Sequence, residues 1–481
     1  MEAEKKKWLT RKRIYIPALL FIIIAIVIVY NQYKSLPEGV SYEGKIHQAQ
    51  DIQFLYDLSY KNEKGKMVHE RNIFNAIYKA IEEADQFIVI DMFLFNGYYD
   101  EKIAFPKISK TLTNKIIAQK KKKPNLTVIF ITDEINTSYN SYKSKEIQQL
   151  KKSGVDVVIT NLDRLRDSNP LYSGVYRTFF QWFGEGGYGW IRNPMAANAP
   201  EVTLRSYLRL FNVKANHRKV LATEKTALVS SANPHDASGY HSNIAFQMDG
   251  NIIGELVDAE EAVGKFSKGP DKFPLYTDKA EPKGPLTVQL VTEGKIYKHV
   301  LNAIRETKKG DHIWLGMFYI ADRGVVNEIT KAARRGVKIN MVLDPNQNAF
   351  GAEKIGLPNL PVAAEMEKLG EENIKIRWYK TEKEQFHTKL MLVQKPGKDI
   401  VIGGSANYTE RNLDDYNLEA NVKIHAPRSS KFAKEVEAYF TRIWTNKDGT
   451  YTAEYREYQD KLPALKYALY RVQKVFRFTT Y

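Results

Sequence analysis

Hydrophobic and polar positions follow a regular order of elements in the first half of the chain. An amphipathic segment around residues 75–77 (NAI) leads into an apolar run at residues 87–95 (FIVIDMFLF). A helix-like segment and a β-rich run at residues 126–133 (LTVIFITD) come next, and another helical pattern precedes a short strand at residues 155–160. Short apolar runs separated by helical patterns predict buried strands that alternate with helices.

The same order of elements returns in the second half. Residues 302–304 (NAI) precede the apolar run at residues 313–320 (IWLGMFYI), residues 337–344 (VKINMVLD) again end in an acid, and residues 374–379 form the last strand. A Met-Phe pair lies inside the first apolar run of each half. The chain therefore contains a tandem duplication. Its fold class is α/β, and we expect each half to be an α/β sandwich with a mixed or parallel sheet covered by helices.

The boundary between the halves is expected near residues 268–285, where Gly, Pro and Lys cluster without apolar periodicity. We divide the chain into a cytoplasmic basic segment (1–13), a transmembrane anchor (14–30), a linker and lead-in (31–66), a first domain (67–268), a second domain (285–446) and a basic amphipathic C-terminal tail (447–481). The first domain is the longer one, because it carries an aromatic insertion near residues 166–200.

The predicted anchor is the uncharged run of 17 residues at 14–30. As a helix it measures roughly 25 Å, which is close to the thickness of a bilayer core. Six basic residues precede the run and only Lys34 follows it closely, so the positive-inside bias places the N-terminus in the cytoplasm and the rest of the chain outside the cell membrane. A cleaved signal peptide is the alternative, although no A-x-A-like site follows Val29. A buried core helix is a further one.

Charge and aromatic content favour contact with an anionic surface. The 481 residues carry a formal charge of +16, which suits either nucleic acid or anionic lipid, and the absence of cysteine excludes disulfides and thiolate chemistry. Residues 171–191, rich in Tyr, Trp, Phe and Gly, suit a lipid-boundary loop or a lid on the domain's own core. The basic residues and spaced apolar groups of residues 461–481 suit an anionic bilayer surface or a helix docked on the second domain.

The candidate chemistry lies in two H-x-K motifs, at residues 217–219 and 387–389. Each motif opens an apolar strand, and each is followed by Ser-Ala-Asn, at residues 231–233 and 405–407. Residues two apart share one face of a strand, so each histidine and its lysine can point into the same cleft. A single H-x-K is typical of ordinary surface strands, but the repeated pair predicts one shared anion site. The residues expected to form it are His217, Lys219, Asn233, His387, Lys389, Ser405 and Asn407.

These motifs resemble the signature of the phospholipase D superfamily, H-x-K-x4-D followed by G-S-x-N, which usually occurs twice in one chain. The resemblance covers residues 67–444 and implies two tandem phospholipase D-like α/β sandwich domains after one transmembrane helix. It also implies that one histidine attacks phosphorus while the other protonates the leaving alcohol and then activates the acceptor. By family habit we favour His217 as the nucleophile. This chemistry requires no metal and no cofactor.

The sequence departs from the signature in its acidic residues. The aspartate position holds Glu224 in the first motif and Gln394 in the second. The later acid of the family is Glu419 in the second half, and an equal offset from the Ser-Ala-Asn motif matches it to Ala245 in the first. Glu224 and Glu419 therefore join the candidate site, and one histidine is expected to lack a carboxylate partner.

The resemblance favours membrane phospholipids as substrates over nucleic acid. Cardiolipin synthase-like phosphatidyl transfer and phospholipase D hydrolysis are the two leading interpretations, since an anchored, outward-facing anion site lies within reach of lipid headgroups. A nucleic-acid phosphodiesterase and a degenerate, non-catalytic protein that binds the membrane surface are the alternatives.

Overall fold

The secondary structure alternates between helices and strands throughout both halves. The computed structural model describes residues 2–99, 104–196, 198–349, 352–459, 467–468 and 470–473. The helices are α1 Glu2–Tyr33, α2 Ile73–Glu83, α3 Ile108–Lys122, α4 Lys145–Lys152, α5 Pro170–Phe179, α6 Leu204–Leu210, α7 Ile252–Phe266, α8 Glu293–Arg305, α9 Arg323–Arg334, α10 Asn359–Lys368, α11 Glu410–Leu413, α12 Lys431–Thr445 and α13 Arg456–Gln459.

The strands of the first half are β1 His47–Ala49, β2 Gln53–Asn62, β3 Met67–Glu70, β4 Phe87–Met92, β5 Thr127–Thr132, β6 Asp156–Ile159, β7 Lys219–Thr223, β8 Ala227–Ser230 and β9 Asn243–Met248. Those of the second half are β10 Leu286–Thr292, β11 His312–Met317, β12 Lys338–Leu343, β13 Asn348–Ala349, β14 Ala352–Glu353, β15 Ile374–Tyr379, β16 Lys389–Lys395, β17 Lys398–Gly404, β18 Ala420–Pro427, β19 Gly449–Thr450 and β20 Thr452–Glu454.

Two nine-stranded mixed sheets confirm the predicted duplication. The first has the order β19-β2-β9-β8-β7-β4-β5-β6, with β3 beside β2, and the second has the order β1-β10-β18-β17-β16-β11-β12-β15-β20. In the first sheet β4, β5 and β6 are parallel, as are β11, β12 and β15 in the second, while the strands on the other side are antiparallel. Both halves therefore have the same α/β topology, as the repeated pattern predicted.

The strands bury both of their faces. In β4, Val89 belongs to a central core that contains residues of both sheets, whereas Ile88 and Ile90 belong to an outer core beneath α2, α3 and α4. The second sheet has its own outer core beneath α8, α9 and α10. Helices α7 and α12 contribute to the central core, which places them between the sheets. Each fully buried aliphatic side chain stabilises this packing by about 1.5–3 kcal/mol, so the two halves form one unit around the central core.

Strands of both sheets lie beyond the predicted domain limits at each end. Residues 31–66 are not only a linker, because β1 pairs with β10 of the second sheet and β2 pairs with β9 of the first. Beyond residue 446, β19 returns to pair with β2. The partners of these strands lie far away along the chain, and β1 and β19 are short, so local periodicity gave no indication of the pairing.

Helix α1 contains the predicted anchor. Residues Lys12–Tyr33 are long and apolar enough to cross a membrane. The insertion near residues 166–200 contains α5, which packs against the C-terminal part of α1, and α6 follows the insertion. Of the C-terminal segment 461–481, residues 461–466, 469 and 474–481 lie outside the described residues. Tyr470 is buried in the outer core of the second domain, so this part of the tail is docked there.

Candidate active site

The two H-x-K motifs meet at the interface between the sheets. The ring centroids of His217 and His387 are 6.5 Å apart, and both histidines are buried. Each motif is held by the opposite half, because the residue before each histidine forms a parallel bridge with a residue of the other domain, Asn216 with Leu418 and Phe386 with Ser242. The structure thus brings the predicted histidines together in one site.

The two lysines occupy equivalent positions. The Nζ of Lys389 donates to the carbonyl of His387 at 2.7 Å, and the Nζ of Lys219 donates to the carbonyl of His217. The phenylalanine of each repeated Met-Phe pair lies beneath this arrangement. Its ring centroid is 5.0 Å from the lysine Nζ and 4.9 Å from the histidine ring in both halves. Both ammonium groups are therefore fixed beside the histidines, where they can neutralise an anion.

The Ser-Ala-Asn motifs bring polar groups to the ends of β8 and β17. The Oδ1 of Asn233 accepts a hydrogen bond from the backbone N–H of Leu94 at 3.5 Å. Asn407 is buried, and its Oδ1 has no hydrogen-bond partner among the described residues. The hydroxyl of Ser405 donates to the carboxylate of Glu419. The serine therefore contacts a neighbouring carboxylate, and the two buried asparagines lie at these strand ends.

Glu419 crosses from the second domain to the histidine of the first. Its carboxylate oxygens lie 2.9 and 3.0 Å from the Nδ1 of His217, and it is fully buried. Ser405 and Asn412 also donate to this carboxylate, and the backbone N–H of Glu419 donates to Glu293 at 2.9 Å. A carboxylate at Nδ1 fixes the tautomer whose Nε2 carries the lone pair. His217 is thereby held with the lone pair on its Nε2.

Asn243 occupies the equivalent position beside His387. Its Oδ1 is 3.1 Å from the Nδ1 of His387 and accepts a hydrogen bond from Ser231 at 3.0 Å. Its Nδ2 donates to the carbonyl of His241 at 3.1 Å. The second histidine therefore has a neutral amide where the first has a carboxylate.

The match of Glu419 to Ala245 was wrong. Strand register pairs Ser230 with Ala245 and Gly404 with Asn421, so Ala245 corresponds to Asn421. The loop before β9 is two residues shorter than the loop before β18, and counting forward from the Ser-Ala-Asn motif therefore lost the alignment. Counting back from the apolar strands would have identified Asn243, which the sequence reasoning missed.

Glu224 lies outside the site. Its carboxylate accepts hydrogen bonds from the backbone N–H groups of residues 85–87 at 2.8–3.3 Å, beyond the end of β7 that is far from His217. A five-residue strand is about 16 Å long, so this carboxylate cannot reach the histidine. At the corresponding position, Gln394 accepts a hydrogen bond from the indole of Trp314 at 3.2 Å. The structure therefore does not bring Glu224 together with the histidines, and its carboxylate binds the backbone beyond the end of β7.

The acids that end the β-rich runs have a role that the sequence did not indicate. Asp133 accepts a hydrogen bond from the backbone N–H of Asn216, and Asp344 accepts one from that of Phe386, both at 2.7 Å. Burial raises the pKa of each carboxyl to about 7. Each acid thus fixes the backbone directly before one histidine of the H-x-K motifs.

Burial and charge set the protonation of the site. Burial lowers the pKa of His217 to about 4 against the opposing effect of Glu419, and it lowers the pKa of Lys219 to about 7. Burial, followed by the charge of Lys389, lowers the pKa of His387 well below its ordinary value. Burial works to raise the pKa of Glu419, but His217 and Lys219 hold it below the usual range. At neutral pH the site therefore contains neutral imidazoles beside a carboxylate.

One protein-family model matches part of the second half of the chain. The family model described as "Cardiolipin synthase, PLD-like domain" matches residues 300–444, which contain the second H-x-K motif. No curated protein sequence matches the chain.

Among solved structures, phosphatidylserine synthase from Haemophilus influenzae Rd KW20 is similar with a TM-score of 0.58 and 12% identity, over 94% of this chain and 97% of that one. This likeness shows the shared fold. Polyphosphate kinase from Porphyromonas gingivalis has a TM-score of 0.46 and 12% identity, over 93% of this chain and 55% of that one. Nuc, a phospholipase D family member from Salmonella typhimurium, has a TM-score of 0.27 and 20% identity, over 34% of this chain and 97% of that one. The last two scores are too low to carry an argument.

Proposed function

We propose that this chain, whose residues 300–444 match the phospholipase D-like family model, transfers or hydrolyses phosphodiesters of membrane phospholipids, in the manner of a cardiolipin synthase or a phospholipase D. The observation that carries the proposal is the pair of facing histidines, of which one is held by a carboxylate from the opposite domain. A nucleophile and a separate acid suit a reaction in two displacements.

In the first displacement, the Nε2 of His217 attacks phosphorus, and the bond between phosphorus and the leaving alcohol breaks. His387 gives its proton to the leaving oxygen, and a bound phosphodiester anion favours the protonated form of His387 that this step needs. Lys219 and Lys389 neutralise the non-bridging oxygens, with the amides of Asn233 and Asn407 as further donors. Glu419 stabilises the positive charge that develops on His217.

In the second displacement, water or an alcohol attacks the phosphohistidine. His387 removes the proton of the attacking hydroxyl, the bond between phosphorus and Nε2 breaks, and His217 returns to its neutral form. An acceptor alcohol such as a glycerol headgroup gives transfer, whereas water gives hydrolysis. The neutral partner of His387, Asn243, suits a residue that must both give and accept a proton.

Lipid is the proposed substrate because two independent features favour it. Helix α1 is suited to a membrane by length and composition, and the matching family model describes a cardiolipin synthase domain. Tethering would keep the active site at the bilayer surface. Nucleic acid, which the net charge of +16 also suits, is the alternative tested below.

A covalent trap tests the reaction. The full chain in vesicles containing phosphatidylglycerol, with and without added glycerol, is quenched with denaturant during turnover and examined by mass spectrometry. We expect a phosphatidyl adduct on His217 that is stable in base and labile in acid. His217→Ala should abolish the adduct, whereas His387→Ala should abolish turnover. A nucleotide adduct from single-stranded DNA would reassign the substrate, and the absence of any adduct and turnover would favour the non-catalytic interpretation.

The proposed topology has the N-terminus in the cytoplasm and the catalytic domains outside. It is supported by the six basic residues before the apolar run. Protease added to intact cells should digest the region after Asn31. Protection of that region until the cells are lysed would reverse the orientation.

A further inference from the structure

Helix α5 of the aromatic insertion packs closely against α1. The contact is made at Gly174, where an added Cβ would lie 2.4 Å from the side chain of Ile28 and 3.3 Å from that of Ile24. Only a residue without a side chain allows the two helices to approach this closely, as is common between helices inside membranes. On α1, Ile24 and Ile28 are half-buried, while Ile26 and Val29 on the other faces are exposed.

Polar contacts fix the same pair of helices at their outer end. The backbone N–H of Asp167 donates to the carbonyl of Asn31 at 3.0 Å, and the guanidinium of Arg166 donates to the carbonyl of Lys34 at 2.9 Å. Lys34 in turn donates to the carbonyl of Asp163 at 2.6 Å. The start of the insertion is therefore tied to the end of α1, and α5 cannot move independently of it.

The position of Gly174 along α1 gives the depth of α5. The apolar run ends at Tyr30, and Ile28 and Ile24 lie two and six residues inside it. At about 1.5 Å per residue, these positions lie about 3 and 9 Å inside the end of the run. If α1 spans the membrane, the middle of α5 must lie at that depth as well.

Helix α5 presents an apolar face to its surroundings. Leu171, Val175 and Phe179 follow one another at four-residue spacing and are 57%, 42% and 40% exposed. After the helix, Trp182 and Phe183 are 74% and 66% exposed. Side chains four apart lie on one face of a helix, and exposed aromatic groups are enriched at membrane boundaries. We call these five residues the α5 lipid face.

From this geometry we infer that α5 lies within the bilayer leaflet that borders the catalytic domains, with the α5 lipid face in contact with phospholipid. The inference rests on the proposed membrane anchoring by α1, and it deepens the proposed function by naming the surface at which lipid meets the enzyme. It decides between the two roles considered for the insertion, since the exposed aromatic groups contact lipid and do not form a lid.

Ion pairs join α5 to the segment that leads into the first H-x-K motif. Asp167, three residues before α5, is bound by Arg177 of α5 at 2.5 Å and by Lys214 at 2.9 Å. Lys214 is three residues before His217, a distance of at most about 10 Å along the chain. The position of α5 is therefore coupled to the segment that carries His217.

The absence of cysteine allows a direct test. Single variants Leu171→Cys, Val175→Cys and Phe179→Cys of the full chain are labelled with an environment-sensitive fluorophore in vesicles of phosphatidylcholine and phosphatidylglycerol, with or without doxyl-labelled lipid. Ile22→Cys, inside the anchor, is the positive control, and Leu275→Cys, 90% exposed between the domains, is the matched aqueous control.

We expect blue-shifted emission and several-fold stronger quenching by doxyl lipid at the three α5 positions than at Leu275. Quenching at Ile22 together with water-like emission at all three α5 positions would overturn the inference. Absence of quenching at Ile22 would also overturn it, because α1 would then not lie in the membrane.

A second measurement separates this inference from the proposed function. The double variant Leu171→Asp/Phe179→Asp should lower kcat/KM on vesicle phospholipid by about tenfold or more, because each aspartate opposes insertion. Turnover of a short-chain, water-soluble phosphatidylglycerol should stay at the parental level, as should both activities of Leu275→Asp. An equal loss of kcat/KM on both substrates would contradict the inference that α5 contacts the bilayer, while leaving the proposed histidine chemistry intact. Failure of the covalent trap, in contrast, would remove the proposed function without affecting the quenching result.

Discussion

Replacing Glu419 by Gln isolates the contribution of the carboxylate that crosses between the domains. Glutamine has the same shape, so the hydrogen bond to the Nδ1 of His217, now 2.9 Å long, can persist while the negative charge is lost. With its oxygen at the position of Oε1, the glutamine can still accept from His217 and Asn412, and the Ser405 hydroxyl can turn to accept from the amide nitrogen. The change therefore acts mainly on charge.

The expected size of the effect follows from the separation of the charges. An imidazolium and a carboxylate about 4 Å apart attract each other by about 4 kcal/mol at an effective dielectric constant of about 20. This attraction develops only as His217 becomes positive during attack, so its loss raises the barrier to adduct formation. At about 1.4 kcal/mol per factor of ten, we expect the rate of adduct formation to fall by about 10²–10³.

The assay is rapid quenching of a single turnover on phosphatidylglycerol vesicles, with adduct on His217 as the readout. Glu224→Gln is the matched control, because Glu224 holds only the backbone of residues 85–87 at the far end of β7. It should form adduct at nearly the parental rate. The reasoning is refuted if Glu419→Gln keeps the parental rate, or if Glu224→Gln loses as much as Glu419→Gln.

Three further predictions concern charge in and near the site. Asn243→Asp places a carboxylate at the Nδ1 of His387, so the pKa of His387, read from the pH profile of kcat, should rise by about 1–2. An unchanged profile would argue against a contact between residue 243 and His387. Because burial lowers the pKa of Lys219 to about 7, the kcat/KM of the parental enzyme should fall as the pH rises through that value and the lysine loses its charge. Arginine keeps its charge, so in Lys219→Arg this decrease should move to higher pH, while the highest kcat/KM of the profile should be lower than in the parental enzyme. Arg218→Met leaves two buried glutamates unpaired and should cost about 3–5 kcal/mol in chemical denaturation, whereas Arg334→Met at an exposed pair should cost no more than about 1 kcal/mol.

The sequence by itself determined the features that depend on local pattern. The repeated apolar runs and the helical segments between them specify two α/β halves, because a strand buried on both faces is a short continuous apolar run, whereas a helix buried on one face has apolar residues at a spacing near 3.6. The two H-x-K motifs, placed equally in both halves, specify which side chains share the site. The apolar run at residues 14–30 likewise indicated a helix that is long and apolar enough for a membrane.

Only the tertiary structure decided the contacts between distant segments. Glu419 contacts His217 of the other half, 202 residues away. Asn243 is in the equivalent position beside His387, and counting from the Ser-Ala-Asn motif missed it because one loop is two residues shorter. Glu224 occupies a signature position but lies at the wrong end of its strand. The packing of α5 on α1 likewise joins segments with no shared local pattern. Such contacts are set by strand register and by the way the two sheets meet, and periodicity along the chain carries no information about either.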